Sequence, residues 1–172
     1  MEKVVIALGV NAILKRGEKE TYSTLTKNLR NTFKSLISLL KNNKIIVTFG
    51  NGPEIGFLAI QNEMAKSKVP EMPLNVLGAE SQGLIGYIIE EQLLTQLRLH
   101  NIKKSVATLI TQVLVDKKDN AFRNPSKFIG PFYNKKQAEL LMKKGFIIKE
   151  DIGRGYRRVV ASPKPLIIIE AD

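Results

Sequence analysis

The stretch Val47-Thr48-Phe49-Gly50-Asn51-Gly52-Pro53-Glu54-Ile55-Gly56 has residue types and an order that suit chemistry. The apolar run Ile45-Ile46-Val47 reads as a buried strand. Gly50-Asn51-Gly52 reads as a tight turn, and Pro53 suits the first position of a helix. Strand, glycine turn and helix start together build an anion site. Unpaired N–H groups point out of a helix N-terminus, the helix dipole favours negative charge there, and glycines let a ligand approach the backbone. One such turn is usually only a turn. Here the pattern recurs, because Val4-Val5-Ile6-Ala7-Leu8 runs into Gly9-Val10-Asn11. Two strand-end loops in one small α/β unit predict a phosphate or carboxylate site at the carboxyl edge of a sheet.

The elements that must position these loops follow from periodicity. Leu25, Leu29, Phe33, Leu36, Ile37 and Leu40 keep helical spacing from Thr21 to Asn42, and a strand follows at Lys44–Thr48. The next helix runs from near Pro53 to about Lys66, and Val69–Pro73 is a loop. Ser81 is placed to cap a long helix carrying Leu84, Ile85, Ile88, Ile89, Leu93 and Leu97 on one face. Val106–Val115 is a β-rich run. The alternation predicts an α/β fold, with a largely parallel sheet and helices on both faces.

After Asp116 the character changes. Residues 119–133 read as loop, and Asn134 with Gln137 resembles a capping arrangement for a short helix through Lys144. Gly145–Glu150 and Tyr156–Ala161 read as two strands joined through Asp151-Ile152-Gly153-Arg154-Gly155. Ser162-Pro163-Lys164-Pro165 is a stiff linker before the apolar strand Leu166–Ile169. The expected organisation is a lobe at 1–116, a small basic α+β subdomain protruding at 117–160, and a linker with a return strand at 161–172.

Bulk properties narrow the chemistry. At 172 residues, with 44% apolar and 25% charged residues, the chain has the composition of a globular protein. The absence of cysteine excludes disulfides, zinc–thiolate centres and thiol nucleophiles, and it fits a reducing, cytoplasmic setting. The run from Val4 to Leu14 is too short to span a bilayer and is interrupted by Gly9 and Asn11, so no membrane role is expected. Net charge is +11. Between Lys117 and Arg158 twelve Lys and Arg face four acids, a surplus of eight. A local basic field serves a small anion as well as a nucleic acid, and no specific nucleic-acid role is assigned. His100 is the single histidine, which argues against triads and histidine metal sites. Glu54, Asp116 and Asp119 read as structural or capping residues, Glu90-Glu91 as a solvated face, and no P-loop pattern is present.

Several ordered blocks carry a resemblance: Ala7-Leu8-Gly9-Val10-Asn11-Ala12-Ile13, Gly50-Asn51-Gly52-Pro53, Met72-Pro73-Leu74 and Ser81-Gln82-Gly83. Further on come Thr111-Gln112-Val113, Asn124-Pro125-Ser126-Lys127 with Ile129-Gly130-Pro131-Phe132, Gly153-Arg154-Gly155, Arg157-Arg158-Val159-Val160 and Ser162-Pro163-Lys164-Pro165. With these the chain resembles the carbamate kinases of the amino-acid-kinase superfamily, over their amino-terminal half. The resemblance implies phosphoryl exchange between ADP/ATP and carbamate/carbamoyl phosphate, in arginine fermentation by the arginine deiminase pathway. It implies that Gly9, Val10, Asn11, Gly50, Asn51 and Gly52 hold carbamoyl phosphate. Lys127, carried on a mobile basic lid, would reach the transferring phosphoryl group. ATP/ADP with Mg belongs to the complete enzyme, and the nucleotide site lies in a second half that these residues do not include. The implied partner is a second copy of the chain or a complementing C-terminal half.

The chain departs from the family pattern at Val10, which stands where a second glycine is usual, and at Phe49, which stands where a histidine is usual. These departures keep open a rival reading, a degenerate non-catalytic remnant that acts as a binding or subunit-interaction module.

Overall fold

A computed structural model describes residues 2–15 and 17–170, with residues 10 and 11 described by their backbone alone. The chain packs as two compact units. The first holds the residues up to Gly50 together with Gly83–Leu109, and the second holds Asn51–Gln82 and the chain from Ile110 onward.

In the first unit, strands β1 (Lys3–Leu8) and β2 (Lys44–Phe49) pair in parallel, with Val5 opposite Ile46 and Leu8 opposite Phe49. The same unit holds helices α1 (Val10–Ile13), α2 (Tyr22–Ser35) and α3 (Ile37–Asn42), with most of α5 (Leu74–Leu99). Thr21 caps α2 by accepting the Thr24 N–H at 3.2 Å. Leu25, Leu29 and Phe33 recur at helical spacing and are buried. The single helix expected over 21–42 breaks at Leu36, where φ is −98° and ψ is 6°. Ile85, Ile88, Ile89, Leu93 and Leu97 of α5 close the core over Ile6, Leu8, Ile45, Val47 and Phe49.

The sheet departs from expectation. Parallel pairing is confined to β1 and β2 among the described strands. Their alternate face carries Val5 at 63% and Ile46 at 55% exposure, so helices cover one face only. Of the β-rich run, only Gln112–Val115 is a strand (β3), and it pairs antiparallel with β7 (Pro165–Ile169). The residues before it are held by α5 instead. Thr108 Oγ1 donates to Glu90 at 2.8 Å and to the Gly86 carbonyl at 3.2 Å, and a Cβ on Gly86 would stand 2.2 Å from Thr108 Cγ2. Glu90 is therefore a partner rather than a solvated side chain, and Glu91 likewise accepts the Tyr22 hydroxyl at 2.8 Å. Helix α5 also begins earlier than expected. The Pro73 carbonyl accepts from Val76 and Leu77, a position where the missing proline N–H costs nothing, so Ser81 is a buried interior residue and not a cap.

The second unit contains α4 (Gly52–Ala65) and the antiparallel sheet β4-β6-β5, formed by β4 (Lys127–Tyr133), β5 (Ile148–Asp151) and β6 (Gly155–Val160). Helix α6 (Lys135–Lys143) opens with a full capping box between Asn134 and Gln137, as the sequence implies. Strand β4 lies in a stretch that reads as loop because of Pro131. The proline is tolerated because β4 is an edge strand and its register with β6 shifts between Ile129 and Tyr133.

Helix α4 packs on β4 through two glycines. A Cβ on Gly56 would lie 2.0 Å from the Gly130 Cα, and Gly130 holds φ +70°. On the same helix Glu54 is only 5% exposed, and its Oε2 has no hydrogen-bond partner among the described residues. Burial raises the pKa of its carboxyl, with its own backbone N–H opposing weakly.

Two outcomes follow. Gly56→Ala should cost about 3 kcal/mol in urea unfolding, because the obstructing atoms are backbone and cannot rotate away; a cost below about 0.5 kcal/mol would show that the crossing has slack. A carboxyl whose pKa rises on folding weakens the fold above the raised value and ceases to do so below its ordinary value, about 4.3. Glu54→Gln should therefore exceed the native chain in stability by about 1–3 kcal/mol at neutral pH. That gap should close as pH falls toward about 4. A gap independent of pH would contradict the assignment.

Candidate anion site

The two glycine loops leave one sheet edge side by side. Leu8 and Phe49 are the last paired residues of β1 and β2, so Gly9 and Gly50 follow directly from neighbouring carboxyl ends. Neither has an atom within 4 Å of where a Cβ would be, so the space beside both backbones is open. After Gly9 the chain turns at once into α1, and the Ala12 N–H donates to the Gly9 carbonyl at 2.9 Å. Val10 and Asn11 open this helix. A right-handed helical backbone is one that valine adopts without left-handed strain, so Val10 does not need to be glycine on conformational grounds. Phe49 packs against the hydrophobic core of the first unit, which accounts for an apolar ring at that position.

The second loop continues into α4. Asn51 occupies the cap position with φ −129° and ψ 25°, but its side chain makes no capping bond. Its Nδ2 instead donates to Ser81 Oγ at 2.6 Å, and Ser81 donates in turn to the Gly78 carbonyl at 2.8 Å. Asn51 thus fixes the turn against the start of α5 and leaves the helix N-terminus without a side-chain cap. Gly52 is the first helical residue, with Pro53 one place later than the sequence suggests. A Cβ on Gly52 would lie 4.0 Å from the Phe128 carbonyl oxygen. The strand that carries Lys127 therefore runs beside the opening of α4.

Lys127 is the first residue of β4, opposite Val160, and is exposed. The segment before it is held at several points. Ser126 N–H donates to the Val160 carbonyl at 3.2 Å, and Lys149 Nζ donates to the Pro125 carbonyl at 2.6 Å. A short 3-10 turn over Asn120–Phe122 precedes, with the Asn124 N–H bonded to the Asn120 carbonyl at 2.9 Å. Asp119 caps that turn by accepting from Ala121 N–H at 2.8 Å, and it also accepts from Lys164 N–H at 3.0 Å. These two backbone donors hold the Asp119 carboxyl below its ordinary pKa. Asp119 thus ties the turn that leads into Asn124-Pro125-Ser126-Lys127 to Lys164 of the Ser-Pro-Lys-Pro block. Asp116 similarly accepts from Lys118 N–H at 2.8 Å, which matches a structural reading of both residues.

Each unit carries groups that suit an anion: in the first, Gly9 and Gly50 open from one sheet edge, and in the second, the N-terminus of α4 lacks a side-chain cap and runs beside the strand that begins with Lys127. The described residues contain no group of three or more His, Asp or Glu side chains able to hold a metal ion. No helix among them is long and apolar enough to cross a membrane. Sequence reasoning did not find the Gly56–Gly130 crossing or the buried Glu54. The glycines themselves, at the end of the turn motif and inside Ile-Gly-Pro-Phe, were the available signal for the first.

No family model matches the chain. The carbamate kinase of Pyrococcus horikoshii is 47% identical over 99% of this chain and 56% of its own length. That of Trichomonas vaginalis is 43% identical, covering 99% of this chain and 55% of its own length. Among solved structures, carbamate kinase from Giardia lamblia bound to citric acid superposes with a TM-score of 0.92 at 44% identity, covering 97% of this chain and 55% of that one. The same enzyme bound to AMP-PNP gives a TM-score of 0.79. The chain spans about half the length of the curated relatives it matches. By sequence and by fold, this chain is a homologue of the carbamate kinases, corresponding to their amino-terminal half.

Proposed function

We propose that this chain is the carbamoyl-phosphate-binding part of a carbamate kinase, which exchanges a phosphoryl group between ADP and carbamoyl phosphate to give ATP and carbamate. The observation that carries the reading is the parallel pairing that ends at Leu8 and Phe49, which brings Gly9 and Gly50 to one edge. Transfer of a phosphoryl group asks mainly for alignment and for neutralisation of charge on the oxygens. On this reading Gly9, Val10, Asn11, Gly50, Asn51 and Gly52 hold the anion. The N-terminus of α4 adds its partial positive charge. Lys127 supplies a mobile point charge to the phosphoryl oxygens, a task for which an ammonium suits better than a planar guanidinium. Residues 117–160 act as the basic protruding subdomain that delivers it.

The nucleotide, with its magnesium, binds the part of the family fold outside the matched half. Pairing with a second copy or a complementing half, and a place in cytoplasmic arginine fermentation, belong to the same reading.

The test compares Lys127→Ala with Lys143→Ala by calorimetry with carbamoyl phosphate. Lys127→Ala should weaken binding about tenfold, equivalent to about 1.4 kcal/mol, while Lys143→Ala should leave it within about twofold. Equal losses would make the basic segment a diffuse field and remove Lys127 from its role. In a coupled assay of ATP formation, the 172-residue chain alone should give background turnover. Clear turnover would show that it holds a nucleotide site of its own.

A further inference from the structure

Strand β4 is poorly built to hold a side chain still. It is an edge strand, it contains Pro131, and its ladder with β6 is interrupted between Ile129 and Tyr133. Gly130 in the gap adopts φ +70°. Arg157 of β6 spans this weak point. Its Nε and Nη2 both donate to the Gly130 carbonyl, at 3.0 and 2.7 Å. Its guanidinium carbon lies 4.9 Å from the centroid of the Phe132 ring and 5.9 Å from that of Phe128. Asp151 is its salt-bridge partner at 3.9 Å, too far for a close hydrogen-bonded pair. The side chain is 14% exposed, and burial lowers its pKa against the pull of Asp151. A guanidinium stays charged in such a setting, so this one arginine of the basic segment is committed to backbone and rings rather than to solvent.

We propose that Arg157 is a positioning residue for Lys127. The proposal rests on the anion-binding reading of Lys127 given above. Lysine has a long flexible stem, so its aim depends on how firmly its backbone is held. Upstream, Ser126 is bonded to Val160 and Pro125 to Lys149. Downstream, Arg157 replaces the ladder bonds that the bulge and the proline remove, and it stacks on Phe128, the residue next to Lys127. Phe128, Val159 and Arg157 share one face of the sheet, and Lys127 with its partner Val160 lies on the other. Arg157 therefore acts through the strand, without reaching the anion itself. The two donors to one carbonyl and the flat stacked plane are features that lysine cannot reproduce.

The experiment is a double-mutant cycle read by carbamoyl-phosphate affinity. Arg157→Lys preserves net charge and should weaken binding about fivefold, an effect that local field alone does not give. Lys127→Ala should weaken it about tenfold, and the double variant should bind no worse than Lys127→Ala. Unchanged affinity in Arg157→Lys overturns the proposal. So does a double variant that shows the product of the two losses, because Arg157 would then act independently of Lys127. No loss in Lys127→Ala removes the anion-binding reading itself, and that arm separates the two failures. If Arg157→Lys fails to fold, Phe132→Leu carries the same cycle. It takes away one stacked ring at a half-exposed position and should show the same dependence on Lys127 with a smaller loss.

Discussion

The contact between Gly56 and Gly130 is the constraint on which the second unit depends. A helix and a strand ordinarily keep a side-chain layer between them. Here backbone meets backbone, and a Cβ on the Gly56 side would fall 2.0 Å from the opposing Cα. The approach brings the Phe128 carbonyl against Gly52, at the first turn of α4. It thereby fixes how far the Lys127 strand lies from the helix N-terminus that follows Gly50-Asn51. Two glycines set the distance between two pieces of chemistry that are far apart in sequence. Arg157 of β6 holds the same glycine, with two of its donors meeting the Gly130 carbonyl.

Charge in the basic segment divides into two kinds. Arg157 and Lys149 bind main-chain carbonyls, and Arg158 lies over the Phe146 ring at 4.5 Å. These cations organise the segment. Lys127 has no such partner among the described residues and stands at the exposed start of its strand. With twelve cations against four acids between Lys117 and Arg158, few carboxylates are at hand to neutralise it. An exposed cation on a fixed strand suits recognition of a small anion better than it suits stability.

Much of this was legible in the sequence, for particular reasons. The strand–glycine–helix pattern at Ile45–Gly56 and the Asn134/Gln137 box are local, and both elements formed within a residue or two of expectation. What failed was non-local. Ser81 has the chemistry of a cap, but Pro73 had already started the helix, and the Ser81 hydroxyl was taken up by Asn51 and Gly78. Pro131 argued for a loop until an edge position and a bulge made room for it. Val106–Val115 has strand composition, yet Thr108 is bound to Glu90 and Gly86, so only its last four residues pair. Val10 stands where a glycine is usual, but it opens a helix, and a helical backbone does not itself call for glycine there. The ordering of the glycine loops at one edge was correctly implied, because parallel pairing of two strands of equal length leaves little freedom in where they end.

The β3–β7 ribbon has a consequence for how copies of this chain behave together. All five residues of β7 are exposed, with Leu166 at 62%, Ile167 at 53% and Ile168 at 60%, and Leu114 of β3 is at 52%. Such an apolar strand pair attracts its like. Opposing it is the net charge of +11, which makes copies repel one another at long range. The two forces respond differently to salt. Screening shortens the repulsion from about 10 Å at 0.1 M to about 3 Å at 1 M, whereas the attraction between apolar surfaces persists. Rising ionic strength therefore weakens the repulsion between copies more than it weakens the attraction between their apolar ribbons.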